Sequence, residues 1–263
     1  MPLELINLPC GRCIGCRLER SRQWALRCVL EAKSHEENCF ITLTYNDEHL
    51  PKNLSLLPRD LTLFFKRLRK SLGDKKIRYF ACGEYGEKNK RPHYHAIIFG
   101  HDFKDRQCMF NADTFSAVGV SVELADLWPF GFSSVGDMTF ESAAYVARYC
   151  LKKYYGDPAK VKEHYGDRVP EFVVMSRHPG IAANWFDKYG LSDVAPYDQC
   201  ICRGKVCKPP RYFDKLLEKI DEELLKHNKE RREQKAKPLS ESELVRKHEF
   251  LKTKTSLEKK RIL

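Results

Sequence analysis

The chain has 263 residues, 32% of them charged and 42% hydrophobic, which supports a packed core of one large domain or two small ones and excludes a disordered chain. Its net charge of +11 points to a polyanionic partner such as nucleic acid. No apolar run approaches the roughly 18 residues of a membrane span, so no membrane association is expected. The opening MPLELINLPCGRC lacks the basic and apolar regions of a signal peptide.

The surplus is uneven. Residues 203–263 carry 19 Lys/Arg against 11 Asp/Glu, and residues 1–202 carry 28 against 25. We therefore divide the chain into a body, 1–202, and a basic helical tail, 203–263. A second basic cluster, Arg12, Arg17, Arg20, Arg22 and Arg27, is opposed only by Glu19. The 11 cysteines are odd in number and follow no secretory signal, which favours a reduced intracellular protein over a disulfide framework.

In chain order, residues 17–36 read as a helix and NCFITLTYND (38–47) as a β-branched, aromatic strand. PRDLTLFFKRLRKSL (58–72) reads as an amphipathic helix with a basic face. IRYFACGEY (77–85) and HYHAIIFG (93–100) form a hairpin across a polar turn. A short helix is expected near 121–127 and a strand at FSSVGDM. TFESAAYVARYCLKK (139–153) reads as a helix that opens on Thr139 and Glu141 and ends in lysines. EFVVMS (171–176) is a strand and 180–188 a short helix. CICRGKVCKPP reads as a linker to one or two long charged helices, either an arm that folds on a partner or a hairpin packed on the body. The mixed order implies an α/β (α+β) sandwich with a largely antiparallel sheet flanked by helices.

His93 and His95 are two apart on a strand, so both imidazoles face one side, about 6–7 Å apart, and can share a divalent cation. The hairpin can return Glu84 beside them, with Glu87 in the turn as reserve. Two histidines and a carboxylate suit a metal that also holds a phosphate. Tyr145 and Tyr149 share a helix face, and Arg148, Lys152 and Lys153 supply cations for a phosphate backbone. Alone, that tyrosine pair reads as an aromatic core stripe. Thr42 and Thr44 alternate with Ile41, Leu43 and Tyr45, as in a half-buried strand.

Three stretches, FITLTYND, RPHYHAIIFG and YVARYCLKK, resemble, in order and character, the three motifs of the HUH endonucleases. The opening PCGRCIGCRLERSRQWALRC, the run YFACGEYGEKNKRPHYHAIIFG and MSRHPGIAANWFDKYG resemble the rolling-circle replication initiators of gokushovirus-type microviruses, which are small single-stranded-DNA phages. The resemblance covers roughly residues 8–190 and resumes at 208–215. It implies the HUH endonuclease fold, with the His pair on a central strand and the tyrosine helix beside it. It also implies Mg²⁺ or Mn²⁺ on His93, His95 and Glu84, with Tyr145 and Tyr149 as alternating nucleophiles. Nicking of the viral origin strand would leave a 5′-phosphotyrosyl link and a free 3′-OH. Strand transfer would then close a single-stranded circle. Arg148 stands where the family pattern Tyr-x-x-Lys-Tyr has its lysine, and Lys152 follows Tyr149 by three. The implied setting is the cytoplasm of the bacterial host, with host helicase and polymerase as partners. No G-x-x-x-x-G-K-[S/T] phosphate loop occurs, so no ATP use is expected.

Cys10, Cys13 and Cys16 form C-x₂-C-x₂-C, with Cys28 a fourth ligand for a structural zinc, or else form a thiol-rich loop without a ligand. Cys200, Cys202 and Cys207 are a less regular cluster, joined to the first only if the chain ends meet. Cys28, Cys39, Cys82, Cys108 and Cys150 also read as small core hydrophobes. Arg17, Arg20, Arg27, Lys66, Arg69, Arg148 and Lys153 are the expected DNA contacts. Two rival readings share these features: an HUH transposase or relaxase of a mobile element, and a non-catalytic zinc-stabilised nucleic-acid-binding module.

Overall fold

A computed structural model describes residues 9–86, 89–111, 116–149, 158–236 and 239–262. Seven strands form one sheet: β1 (Asn38–Tyr45), β2 (Arg78–Tyr85), β3 (Pro92–Phe99), β4 (Gln107–Asn111), β5 (Ser116–Val120), β6 (Gly131–Asp137) and β7 (Phe172–Met175). Their order is β4-β5-β6-β1-β3-β2-β7, and every neighbouring pair is antiparallel. The expected antiparallel α/β sandwich is therefore present. The helices α1 (Ile14–Ala32), α2 (Pro58–Ser71), α3 (Val122–Leu127), α4 (Phe140–Tyr149), α5 (Pro158–Tyr165) and α6 (Ala183–Tyr189) surround the sheet.

Strand alternation sorts side chains to two faces. One face presents Ile41, Leu43 and Tyr45 with Ala81, Tyr94, Ala96 and Ile98, and α2 covers it with Leu61, Phe64, Phe65 and Leu68. Buried hydroxyls tie the layers together. Tyr45 donates to Asp60 (2.6 Å), and the Tyr94 hydroxyl accepts from the Leu57 amide (2.8 Å) at the start of α2. The other face presents Phe80, Cys82, Ile97 and Phe99 to α1 and α4. Small residues on the helices, Ala25, Ala143 and Ala147, let α1 and α4 lie close together over it. Trp24 of α1 stacks on Phe80, with ring centroids 4.9 Å apart. Thr139 caps α4 as expected: its hydroxyl accepts from the Ser142 amide at 3.1 Å, and the Ser142 hydroxyl accepts from the Thr139 amide at 2.8 Å.

Three elements were not anticipated. The β4–β5 hairpin carries no clear turn signal, and β5 joins the sheet through a close approach at Gly119, where an added Cβ would sit 2.2 Å from the Val135 carbonyl. The segment 158–165 is helical. The supposed linker is a second small sheet, β8 (Cys200–Cys202) and β9 (Lys205–Cys207). Its turn residues Arg203 and Gly204 both have positive φ (53° and 70°), as a two-residue hairpin turn of twist-matched hand demands.

The boundary at 202/203 is also corrected, because it cuts that hairpin. The tail helices α7 (Arg211–Ile220) and α8 (Glu222–Lys235) share a core with α1 and α6, through Leu26, Leu30, Phe186, Phe213, Leu217 and Leu225. Arg232 of α8 bonds both Asp198 and Asp214, and Asn228 donates to the Ala195 carbonyl at 2.8 Å. These helices thus pack on the body. The last helix, α9 (Glu241–Ile262), brings Leu251 against Gly15.

Glu31 joins these layers. It is 1% exposed and accepts from Arg78, from the Ala182 amide (2.5 Å) and from His35 (3.2 Å). Burial alone raises its carboxyl, but the bonds from His35, Ala182 and Arg78 outweigh that and hold it below its ordinary 4.5. Its stabilisation is therefore complete above pH 4.5 and lost as pH falls through the lower folded value. Glu31→Gln is expected to lower unfolding free energy at pH 7 by about 1–3 kcal/mol. The gap to wild type should shrink toward pH 3 in urea titrations at the two pH values.

Candidate functional site

The site is built by strand register. β3 lies between β1 and β2, and His93 is directly opposite Thr44 on one side and Glu84 on the other. One step along, His95 is opposite Thr42 and Cys82. Opposed residues on antiparallel strands share a face, so Thr42, Thr44, His93, His95 and Glu84 all stand on the face that α1 and α4 cover. The two imidazole centroids are 6.4 Å apart, in line with the strand repeat.

Both imidazoles are held by threonines of β1. Thr42 Oγ1 lies 3.0 Å from His95 Nδ1, and Thr44 Oγ1 lies 2.9 Å from His93 Nδ1. When Nδ1 carries the proton and donates it, Nε2 offers its lone pair outward, the tautomer a metal-ligating histidine needs. His95 Nε2 is 2.9 Å from Glu84 Oε1, and both residues are buried, at 5% and 3% exposure. Ligand atoms about 2.1 Å from one ion at right angles lie about 3.0 Å apart, so this pair has the spacing of two adjacent metal ligands. Without an ion, a proton on Nε2 bridges the two. His93 is half-buried, and its Nε2 lies 2.9 Å from where a Cβ on Gly86 would sit. The missing side chain at Gly86 is what leaves His93 its place.

The tyrosine helix packs on the same group. The Tyr145 ring meets His95 edge-on (centroids 5.0 Å, 89°) and Phe40 edge-on (6.2 Å, 88°), and Phe40 stacks on His95 at 5.9 Å. The Arg148 guanidinium lies 5.7 Å from the Tyr145 ring centre. Tyr149 ends α4, one turn beyond Tyr145; its side chain lies outside the described residues, as do Glu87, Cys150, Lys152 and Lys153.

The structure does not bring every expected residue here. Arg27 is corrected from DNA contact to interior cation. It is 9% exposed, its Nε and Nη2 donate to the Ile181 carbonyl (3.1 and 3.0 Å), and its guanidinium lies between Trp24 and Tyr212 at 4.0 and 3.9 Å. Burial lowers its pKa to about 10, so it stays charged at neutral pH. Lys66 and Arg69 are exposed on α2, in the layer behind the sheet from the His pair. Arg17 and Arg20 stand on the first turns of α1, in the layer that covers the site, and Arg20 is exposed.

Cys28 is corrected as well. It is fully buried among Ala25, Phe80 and Cys82, three helical turns beyond Cys16, and cannot complete a site with Cys10, Cys13 and Cys16. Cys39 and Cys82 are core residues as expected, whereas Cys108 is exposed. Among the described residues, Cys10, Cys13 and Cys16 form the one group of three with metal-ligand atoms all within 4.8 Å of one another. Amides of Cys13 and Arg12 lower the Cys10 thiol from 9.0 to about 7. Cys202 and Cys207 instead lie near Arg22, and burial raises both thiols.

Sequence reasoning passed over Thr42 and Thr44 as site residues, and Gly86 altogether. Their signal was parity: a strand paired directly with the His strand puts alternate residues beside the imidazoles.

The geometry defines a histidine–carboxylate site with a tyrosine helix on an antiparallel sheet. A family model described as replication-associated protein ORF2/G2P matches residues 38–154, the span from β1 to just beyond α4. The chain is 36% identical over 245 residues to replication-associated protein ORF2 of Spiroplasma virus 4, covering 88% of this chain and 74% of that one. It is 34% identical to replication-associated protein VP4 of Bdellovibrio phage phiMH2K, covering 82% and 69%, and 37% identical to replication-associated protein ORF4 of Chlamydia phage 1, covering 81% and 54%. No solved structure is a significant match. The chain belongs to the family of replication-associated proteins of small single-stranded-DNA phages.

Gly86→Ala is expected to displace the His93 ring while leaving the fold intact, since the nearest atom in its way belongs to a side chain and not to backbone. Imidazole ¹H–¹⁵N spectra should show His93 resonances moved and those of His95 in place.

Proposed function

We propose that the chain is an HUH-type rolling-circle initiator that nicks the viral origin strand by tyrosine attack. The observation that carries this reading is the buried Glu84–His95 pair at ligand spacing with the Tyr145 ring packed on His95, in a chain related to phage replication proteins. Mg²⁺ or Mn²⁺ bound by His95, Glu84 and His93 would polarise the scissile phosphate as a Lewis acid.

The protein's own groups do the rest. Thr42 and Thr44 hold the two rings in place through their Nδ1 atoms, and each hydroxyl can accept a proton from Nδ1 when a metal takes Nε2. A tyrosine oxygen attacks phosphorus and gives up its proton; the bond to the 3′ oxygen breaks, and that oxygen leaves as a 3′-OH. The product is a 5′-phosphotyrosyl link that keeps the bond energy of the phosphodiester, so rejoining uses no ATP. A tyrosine has a pKa near 10 and is a weak nucleophile at neutral pH. The Arg148 guanidinium, 5.7 Å from the Tyr145 ring centre, is the proposed cation that screens the phosphate beside that tyrosine. A second tyrosine one turn along, Tyr149, allows cleavage of the regenerated origin while the first holds DNA. Arg17 and Arg20 are the proposed backbone contacts on this side, and Lys153, outside the described residues, is proposed as a further one. Host helicase and polymerase, in the bacterial cytoplasm, would unwind and extend. The names of the relatives favour replication over transposition.

With 3′-labelled single-stranded fragments tiling the cognate genome, a protein–DNA adduct is expected in Mn²⁺ and not in EDTA. Tyr145→Phe plus Tyr149→Phe should abolish it, and so should His93→Ala plus His95→Ala, with DNA binding retained. Binding without an adduct on any fragment or on supercoiled duplex would instead mean a non-catalytic module. Thr42→Val plus Thr44→Val should weaken Mn²⁺ binding about 10–100-fold by calorimetry.

A further inference from the structure

We propose that Cys10, Cys13 and Cys16 form a second, separate metal site, a three-thiolate cradle for a soft divalent cation of the zinc type, built on the first turn of α1.

Local geometry assembles the three sulfurs. Gly11 adopts φ +71°, the left-handed conformation that turns the chain sharply after Cys10. The Cys13 amide then donates to Cys10 Sγ at 3.2 Å, and Cys13 itself caps α1. Cys16 lies one helical turn further, and its Sγ is 4.0 Å from that of Cys10. All three sulfurs are mutually within 4.8 Å. In a tetrahedral site with Zn–S bonds of about 2.3 Å, sulfurs lie about 3.8 Å apart. The cradle is thus nearly at the spacing of the bound state, and far from the roughly 2 Å of a disulfide.

Core packing does not account for these thiols. Cys28, Cys39 and Cys82 are fully buried, whereas Cys10 is exposed and Cys13 and Cys16 are half-buried. Amides of Cys13 and Arg12 hold the Cys10 thiol down, while burial raises that of Cys16. The sulfurs gather at the positive end of α1, whose first turn has no acidic residue, and the Arg20 guanidinium lies beside Gly11. Among the described residues no fourth His, Cys, Asp or Glu joins the group, which leaves one coordination position for water or another donor. Three thiolates on a divalent ion leave one net negative charge, which Arg20 offsets. The bound ion fixes the 10–13 turn to α1 and holds the Arg12, Arg17 and Arg20 cluster in one arrangement.

The test uses the reduced full chain. Atomic emission should find one tightly held zinc per chain, and the same in His93→Ala plus His95→Ala, which separates this site from the proposed nicking centre. Cobalt(II) should give thiolate-to-metal charge-transfer bands of three-thiolate intensity. Alkylation read by mass spectrometry should show Cys10, Cys13 and Cys16 protected by zinc while the exposed Cys108 reacts. This footprint needs no variant and so no folding assumption. Cys10→Ser, Cys13→Ser and Cys16→Ser should each abolish retention through dialysis. No zinc uptake by the reduced chain, protection confined to Cys202 and Cys207, or a Cys10–Cys13 disulfide in place of metal would overturn the proposal.

Discussion

Pairing of β3 with a strand on each side is the constraint on which the candidate site depends. Backbone hydrogen bonds hold Thr44, His93 and Glu84 in one row across three strands, and Thr42, His95 and Cys82 in the next. A slip of one residue in either ladder would send Glu84 or both threonines to the opposite face. The apolar alternation on the back of the sheet guards against that slip. Leu43, Tyr94 and Tyr85 would have to leave the core for Thr44, His93 and Glu84 to leave the front. The chemistry on one face is thus fixed by hydrophobic burial on the other.

The two faces differ in kind. The back is a large-residue core, where Tyr45, Tyr94 and Trp128 pack with α2, and burial raises the Tyr94 hydroxyl to about 12, so it serves as a neutral hydrogen-bonding strut. The front is closed by small residues near its buried end and opens toward the half-buried His93. Alanines at 143 and 147 bring α4 close, so Tyr145 rests on His95 through ring packing. The position of that tyrosine therefore follows from helix packing, and its neighbour Arg148 is delivered by the same turn.

Helix α1 links these parts. One side, with Ala25 and Cys28, closes the site face; the other, with Leu26 and Leu30, receives the tail helices. Arg27 sits where the two sides meet, held between aromatic rings of α1 and α7, and Glu31 draws in β2 and the 182 turn. The first turn of α1 carries the cysteine cradle.

The sequence by itself determined much of this. Period-two alternation marked β1, β2 and β3, and the same parity put His93 and His95 together, with Glu84 returned by a short hairpin. The Thr139 cap and the spacing of Tyr145 and Tyr149 marked α4. These signals are local, governed by residues within a few positions of one another. Tertiary structure decided what depends on distant partners. It set the register that makes Thr42 and Thr44 neighbours of the imidazoles and gave Gly86 its role beside His93. It buried Arg27, and it placed Cys28 in the core while Cys10, Cys13 and Cys16 stayed outside. It also folded the charged tail onto the body. A basic helix reads alike whether its far side meets solvent or another helix, because local pattern records amphipathicity and not the identity of the surface that covers it.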